Sequence, residues 1–462
     1  MNYAEALEYL EAHYSLELSP STRATEPNIS RMVDLTQALG DVDRGIPTIH
    51  IAGTNGKGST SRIIIELVAA HGLHVGSYNS PHLQRVNERI SSNGVPIDDE
   101  TFAAAVSDVA AIEPLLADKW DRPATYFEVI AATALSWMAT SAVDVRVIEV
   151  GMGGRWDATN VVDAEVAVVT NIGLDHVYML GPELTDIARE KAGIITPVST
   201  AVIGDVDDEI FAVISEMPAA STLRMNSEYE IVANQLAVGG RSISVHTARA
   251  QYDDVFLSLN GAHQAINAAV AIVAVEEFFD RALNVDLVTE ALGSVSVPGR
   301  FEVLGRQPLT IVDGAHNIDG AVVAAATIAD DFRTDGKRVL VAGFNSPRDP
   351  AEMLAALGAV DATAVVATQP DWPLRIPADQ VVEAATSLGV EHVVWEPNVA
   401  RAVGRCPRNR RSRWRCVGRR VSLRCRRGQR TPETNRKPII ELSRTSNSRE
   451  IGLALLSDNV SR

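Results

Sequence analysis

The chain has 462 residues, 46% of them hydrophobic and 22% charged, and a formal net charge of −17. It is too long for one core and too apolar to be a disordered chain, so two domains are expected. No apolar run reaches the ~20 residues that a membrane span needs, and the opening MNYAEALEYLEAHYSLEL reads as an acidic amphipathic helix and not a signal peptide, which predicts a cytoplasmic protein.

In chain order, apolar strands alternate with helical stretches, the pattern of a parallel sheet covered by helices. Strands are predicted at 47–53, 143–151, 164–173 and 199–204, with helices near 58–71, 100–117, 126–140 and 183–192. Residues 228–259, with AVGGRSISV at a glycine turn, predict an antiparallel hairpin, and GAHQAINAAVAIVAVEEFF returns to helix. SVPGRFEV punctuates the chain at Pro298 and Gly299, which puts a domain boundary at about residue 298. A second alternation follows: LTIVDGAH, a helix near 318–332, KRVLVAGF, a helix near 350–358, ATAVVATQ, a helix near 377–388, and HVVWEP.

After Arg405 the periodicity stops. Residues 405–462 hold 17 Lys or Arg against 4 Asp or Glu, so residues 1–404 carry about −30. All three cysteines (Cys406, Cys416, Cys425) lie in this tail, with no histidine nearby, which does not resemble a zinc site. A solvated basic tail and a nucleic-acid arm are both open readings. The abrupt switch inside an unfinished α/β domain favours a third, a shifted reading frame, so nucleic acid is not the expected partner.

The stretch IHIAGTNGKGSTSR runs from a strand through a glycine-rich turn into a helix. Such a turn gathers backbone N–H groups and the positive end of the helix dipole around one point, a phosphate cradle. Lys57 would reach the outer phosphates, with Ser59 or Thr60 available to magnesium. The spacing departs from the strict P-loop, since Ile51 stands where the first glycine belongs and Gly58 follows the lysine. A tight turn with a surface lysine is the plain alternative. EVGMGGRWDATN repeats the design, with Glu149 at a strand's C-terminal edge, where open α/β sheets gather ligands. A carboxylate there suits magnesium, a hard cation. TNIGLDHVYMLG ends another strand with Asp175 and His176, the histidine being either a hydrogen-bonded structural residue or a metal ligand.

GTNGKGS, SPHL, TYFE, EVGMGGRWDATN, IGLDH, REKAGI, HQAINA, PGRFE and DGAHN together resemble folylpolyglutamate synthases and bifunctional dihydrofolate synthases, within the Mur-type ligases. The resemblance covers residues 1 to about 400. It implies a P-loop parallel-sheet ATPase domain over 1–297, a smaller Rossmann-like α/β domain with the glutamate-ligase function over 298–404, and an atypical tail over 405–462. The activity implied is ATP-dependent ligation of L-glutamate to dihydropteroate or folates through an acyl phosphate. A Mur-type paralogue with another carboxylate substrate, or an ATP-binding protein impaired in turnover by its altered C-terminus, is the alternative.

By the same resemblance Asn55, Gly56, Lys57, Gly58 and Ser59 form the phosphate loop, and Ser59, Ser80, Glu149 and His176 hold magnesium, at two sites. Lys191 matches a lysine carried as a carbamate, its plain alternative being a surface neighbour of Arg189 and Glu190. Asn267, Arg300, Asp313 and His316 are implied at the ATP base and sugar, between the domains. Ser80, His82, Thr125, Tyr126, Phe127, Glu128, Trp156, Asp157 and Ala158 are implied at the acceptor, with SPHLQRVNERI as a mobile flap. The aromatics suit a flat heterocycle, though each suits a core equally. After DGAHN, Ile318 and Asp319 replace the usual proline and histidine, and GFNSPRDP replaces a differently charged loop. The partners expected are small molecules, with no membrane, and a monomer. The tail shows no strand or helix that would finish the second domain, which predicts a sheet lacking its last strand.

Overall fold

The computed structural model describes residues 1–13, 15, 29–306, 308–332, 337–404 and 453–457, in two compact units, Met1–Val297 and Pro298–Arg462. The first unit opens with α1 (Tyr3–Glu11), α2 (Ser30–Ala38), β1 (Thr48–Ala52), α3 (Lys57–Ala70) and β2 (Val75–Tyr78). A 3-10 turn over Val86–Arg89 leads into β3 (Ile90–Ser92) and β4 (Val95–Pro96), then α4 (Asp99–Ile112), α5 (Tyr126–Thr140) and β5 (Val145–Glu149). Next come β6 (Val166–Val169), α6 (Val177–Leu180), α7 (Leu184–Ala192), β7 (Thr200–Ile203), α8 (Asp208–Ile214) and β8 (Ser221–Arg224).

These eight strands form one sheet in the order β4-β3-β2-β5-β1-β6-β7-β8. From β2 to β8 all neighbours are parallel, and β3 and β4 add an antiparallel edge. Every residue of β1 and β5 is buried, as expected of central parallel strands covered on both faces. Ile49 and Ile51 of β1 join a core with Ile63, Ile64 and Leu67 of α3, whereas Ala52 joins another with Ala188 and Ala192 of α7. An apolar stripe on each side of the sheet therefore anchors the helices that flank the strand ends.

A three-stranded antiparallel sheet follows, β9 (Glu230–Ala237), β10 (Gly240–His246) and β11 (Gln251–Leu257), then α9 (His263–Phe279) and α10 (Val285–Ser294). The run AAVAIVAV makes α9 apolar all round, and it is buried among α3, the large sheet and the small one. The predicted helix over 100–117 stops at Ile112, because Pro114 cannot continue the hydrogen-bond ladder, and a 3-10 turn covers Glu113–Lys119. Strands β2, β3, β4 and β8 and helices α8 and α10 are too short or too irregular in pattern to stand out in the sequence.

The second unit holds β12 (Glu302–Arg306), β13 (Leu309–Asp313), α11 (Ile318–Asp331), β14 (Arg338–Ala342), α12 (Pro350–Ala356), β15 (Ala364–Ala367), α13 (Ala378–Ser387), β16 (Val393–Trp395), α14 (Val399–Gly404) and β17 (Leu453–Ser457). Its sheet order is β12-β13-β17-β14-β15-β16. The expectation of a sheet without its last strand is overturned: β17 pairs antiparallel with both β13 and β14, Leu455 standing opposite Ile311 and Leu340. Its place is central, where an empty slot would expose two strand edges at once. The short apolar LALLS carried the signal, masked by the arginine-rich stretch before it. That stretch, its cysteines and the reading-frame question lie outside the described residues. Among the described residues no helix is long and apolar enough to cross a membrane.

Candidate active site

β1 delivers the chain into a loop that only glycine can build. Gly53 has φ +146°, and a Cβ there would lie 1.9 Å from Thr170 Oγ1; Gly56 has φ +83°, and its Cβ would lie 2.4 Å from Asn267 Oδ1. The loop is tied to the exit of β6. Thr54 N donates to Asn171 O at 3.0 Å, Asn55 N to Asn171 Oδ1 at 2.9 Å, and Thr170 Oγ1 to Asn55 O at 2.6 Å. Thr60 N makes the first helical bond, to Gly56 O at 2.9 Å, so the N–H groups of residues 57–59 precede the α3 ladder at the positive end of its dipole. Lys57 Nζ turns back onto the loop, donating to Gly53 O at 2.9 Å and Thr54 O at 3.2 Å. Asn267 is no solvent-facing helix residue: it is buried against Gly56, and its amide donates to Gln264 Oε1 at 2.9 Å.

Glu149 ends β5 and is buried, with Oε2 3.6 Å from where a Gly58 Cβ would stand and 3.4 Å from Ser80 N. A Cβ at position 58 would stand in ordinary van der Waals contact with this carboxylate. The Glu149 carboxylate, beside Gly58 and the Ser80 N–H, offers hard oxygens, the chemistry magnesium selects. Thr60 Oγ1 is buried and makes no hydrogen bond among the described residues. Among the described residues no group of three or more His, Cys, Asp or Glu is placed to hold a metal ion.

Lys191, on α7, is buried and donates to Gly53 O at 2.9 Å, the carbonyl that Lys57 also uses. Burial first, and the Lys57 charge second, push its ammonium down to about 7; Asp175, Glu190 and Asp157 oppose them. Lys191 is therefore no surface neighbour of Glu190. His176 has φ +50° and opens α6, with Nε2 3.8 Å from Asp175 Oδ2. Its loop is braced against the phosphate loop by Gly173 N, which donates to Thr54 Oγ1 at 3.0 Å.

The residues predicted at the acceptor sort into two kinds. Thr125 and Glu128 form a capping box at the start of α5, and Glu128 also accepts from Arg31 Nη2 at 2.7 Å in a buried pair. They shape the wall. Tyr126 is buried, and Phe127 lies over Gly151, where a Cβ would come within 2.2 Å of the ring. Trp156 is 42% exposed, with Arg155 4.9 Å over its ring, and Ala158 is buried. The Trp156 N–H donates to Glu190 Oε1 at 3.1 Å. Asp157 is buried, its carboxylate accepting from Met152 N at 3.0 Å and Thr159 N at 2.9 Å, and burial raises its pKa against those bonds. Ser80 precedes a cis peptide bond to Pro81, and His82 Nδ1 accepts from Arg89 Nε at 2.9 Å.

Arg89 and Arg31 were not singled out from the sequence. Arg89 is fully buried, with its guanidinium 5.5 Å from the ring centres of both Tyr126 and Phe127. The residues of SPHLQRVNERI fold around Glu88, which accepts from Leu83 N at 2.7 Å and Arg85 N at 3.0 Å. A cation inside that motif was the available signal for Arg89; Arg31 had none.

In the second unit Arg300 Nη1 donates to Gly314 O at 3.2 Å, and Asp313 accepts from Phe301 N at 2.8 Å and Ala315 N at 2.9 Å. His316 follows, its Nδ1 3.3 Å from Gly314 O, and its carbonyl accepts from Arg348 Nε. Arg300, Asp313 and His316 thus share one corner at the entry to α11, which Asn317 caps.

A glycine-built phosphate loop on a parallel sheet, followed by a second α/β unit, defines an ATP-dependent ligase of the Mur type. Residues 51–275 match the Mur ligase middle domain and residues 299–409 the Mur ligase glutamate ligase domain. The chain is 41% identical over 333 residues to the dihydrofolate synthase/folylpolyglutamate synthase of Mycobacterium tuberculosis (strain ATCC 25618 / H37Rv), covering 68% of each. It is similar to the structure of Mycobacterium tuberculosis folylpolyglutamate synthase complexed with ADP, with a TM-score of 0.80, 36% identity, and 87% of this chain and 90% of that chain covered. An FPGS-AMPPCP-folate complex matches with a TM-score of 0.75 and 31% identity over 88% of this chain and 99% of that one. The chain belongs to the dihydrofolate synthase/folylpolyglutamate synthase family.

Proposed function

We propose that the chain joins L-glutamate to the terminal carboxylate of a pteroate- or folate-type acceptor, and that both dihydropteroate and reduced folate serve. The γ-phosphoryl of ATP passes to the acceptor carboxylate, breaking its bond to ADP and forming an acyl phosphate. The glutamate amino group then attacks the acyl carbon, phosphate leaves with the bonding pair, and the amine gives up a proton as the amide forms. No protein nucleophile is needed, because the difficulty is to hold anions together in line.

The observation that carries this reading is the Glu149 carboxylate packed against Gly58, one residue beyond Lys57 at the N-terminus of α3. Lys57 leaves the Gly53 and Thr54 carbonyls for the transferring phosphoryl, and the first N–H groups of α3 bind the oxygens next to it. Ser59, Ser80 and Glu149 would hold magnesium, with His176 serving a second ion, and magnesium supplies positive charge that the single lysine cannot. Lys191, buried and held near neutrality, offers the uncharged amine that carbon dioxide needs to form a carbamate. Asn267, beside Gly56, contacts the nucleotide. Tyr126, Phe127, Trp156 and the loop around Asp157 receive the flat acceptor, with His82 and Arg89 behind the aromatic rings.

Phosphate release measured with dihydropteroate and with tetrahydrofolate in turn, each with and without L-glutamate, tests the reading. Release that requires both acceptor and glutamate is expected. Release indifferent to either, or none with these acceptors, overturns it.

A further inference from the structure

His50 sits in β1, three residues before the phosphate loop. Its neighbours Ile49 and Ile51 lie in the core shared with α3 and α9, so His50 projects to the other face of the sheet. There Nε2 lies 2.8 Å from Thr159 Oγ1, which in turn lies 2.6 Å from Asp157 Oδ1. An ionised carboxylate only accepts, so the single Thr159 hydroxyl proton goes to Asp157, and the hydroxyl oxygen receives the proton on His50 Nε2. This assignment leaves Nδ1 with a bare lone pair, and among the described residues no hydrogen bond reaches it. Burial and the nearby Arg146 charge push His50 down to about 3, so the ring stays neutral throughout the working range.

A fully buried imidazole with one unsatisfied nitrogen carries a desolvation penalty that a satisfied or apolar side chain does not. The strand TIHIA has isoleucine on both sides and would pack more favourably with another branched apolar residue. Stability alone therefore does not account for the histidine. Its one N–H is aimed at the hydroxyl that latches the Asp157 loop, and Asp157 in turn holds Met152 and Thr159 on either side of Trp156.

We propose that His50 is a positioning residue: through Thr159 it fixes the Asp157 loop, and so keeps the acceptor wall aligned with the phosphate loop that continues from its own strand. This rests on the reading of residues 151–158 as acceptor wall. In it β1 serves both substrates, the nucleotide through its end and the acceptor through one side chain.

Steady-state kinetics and amide hydrogen exchange of the full chain test it. His50→Val is expected to raise the acceptor KM about tenfold, the effect of losing about 1.4 kcal/mol, while the ATP KM moves less than about twofold and exchange quickens across residues 150–160. His50→Gln, which keeps an N–H donor at similar reach, restores most of the acceptor KM. Thr159→Val leaves the strand untouched and carries the same test where His50→Val fails to fold, and once Thr159 is replaced His50→Val adds nothing further to the acceptor KM. An unchanged acceptor KM with unchanged exchange, or an equal rise in both KM values, overturns the proposal. If the native chain shows no acceptor-dependent phosphate release, the functional reading fails instead, and the exchange comparison still decides whether His50 holds the loop.

Discussion

The phosphate loop keeps its shape with main chain. Gly53 and Gly56 sit where no side chain fits, and Thr54 and Asn55 bond to the backbone and side chains of residues 170–173. The proposed acceptor wall is held by side chains, most of which reach partners far away in sequence: Arg31 with Glu128, His50 with Thr159 and Glu190 with Trp156 N, while Arg89 bonds His82 within one motif. The first device resists change at each position but involves few residues. The second spreads its stability over buried polar pairs, so losing one partner strands the other.

The largest expected effect lies on the phosphate side. Lys57→Ala should lower acceptor-dependent phosphate release by about 10³–10⁵, the scale of a cation that stabilises transferring phosphoryl charge, while leaving the unfolding midpoint close to native. Near-native turnover in this variant would remove Lys57 from that role and erase the contrast with the acceptor wall.

On the acceptor side the expected damage is to stability. Arg31→Leu leaves the Glu128 carboxylate buried without its cation and should cost about 3–5 kcal/mol in urea unfolding. Replacing both, Arg31→Leu with Glu128→Met, should recover much of that loss, because an apolar pair of similar volume carries no desolvation penalty. A double variant as unstable as the single one would show that the pair is not the unit of stability here.

Gly56→Ala comes third. It forces an alanine into a left-handed conformation, costing about 1–2 kcal/mol, and drives its Cβ into the Asn267 amide. ATP affinity measured by calorimetry should fall about tenfold or more, with α3 intact by circular dichroism. Unchanged affinity would mean that the turn can reshape, contrary to a loop fixed by main chain.

The same contrast decides what was legible in the sequence. Strand, glycine turn and helix are consecutive, so IHIAGTNGKGST discloses the phosphate loop by itself, and EVGMGG discloses Glu149. Asp157 and Glu128 were marked by their motifs, but the motif spacing does not tell that their carboxylates are turned inward to hold loop and helix. Arg31 and His50 carry no local pattern, because their partners lie 97 and 109 residues away. β17 was hidden for another reason: four apolar residues and a serine, placed after a long arginine-rich stretch, have no period to count.

The smallest effect concerns the edge of the acceptor region. Glu113 accepts from His13 Nε2 at 2.9 Å, from the Tyr9 hydroxyl and from Ala124 N at 3.2 Å, so α1 is pinned to the residue before the α5 capping box. Burial alone would lower the His13 pKa, but the hydrogen bonds to Glu113 and to the Tyr9 carbonyl, with the Glu113 charge, leave it raised. Burial likewise works to raise Glu113, and its bonds to His13 and Tyr9 outweigh that and lower it. The His13 contribution is complete below the unfolded histidine value of about 6.5 and is lost as pH rises through the higher folded value; the Glu113 contribution is complete above the unfolded carboxylate value and is lost as pH falls through the lower folded one. The pair therefore stabilises most between the two, in mildly acidic solution. Thermal midpoints of the native chain and of His13→Gln, compared from about pH 5 to about pH 9, should differ most near the acidic end of that range and converge as the native imidazole loses its proton. A difference that stays constant with pH would show that His13 holds Glu113 only as a neutral donor, and would place α1 among the supports fixed by packing instead of charge.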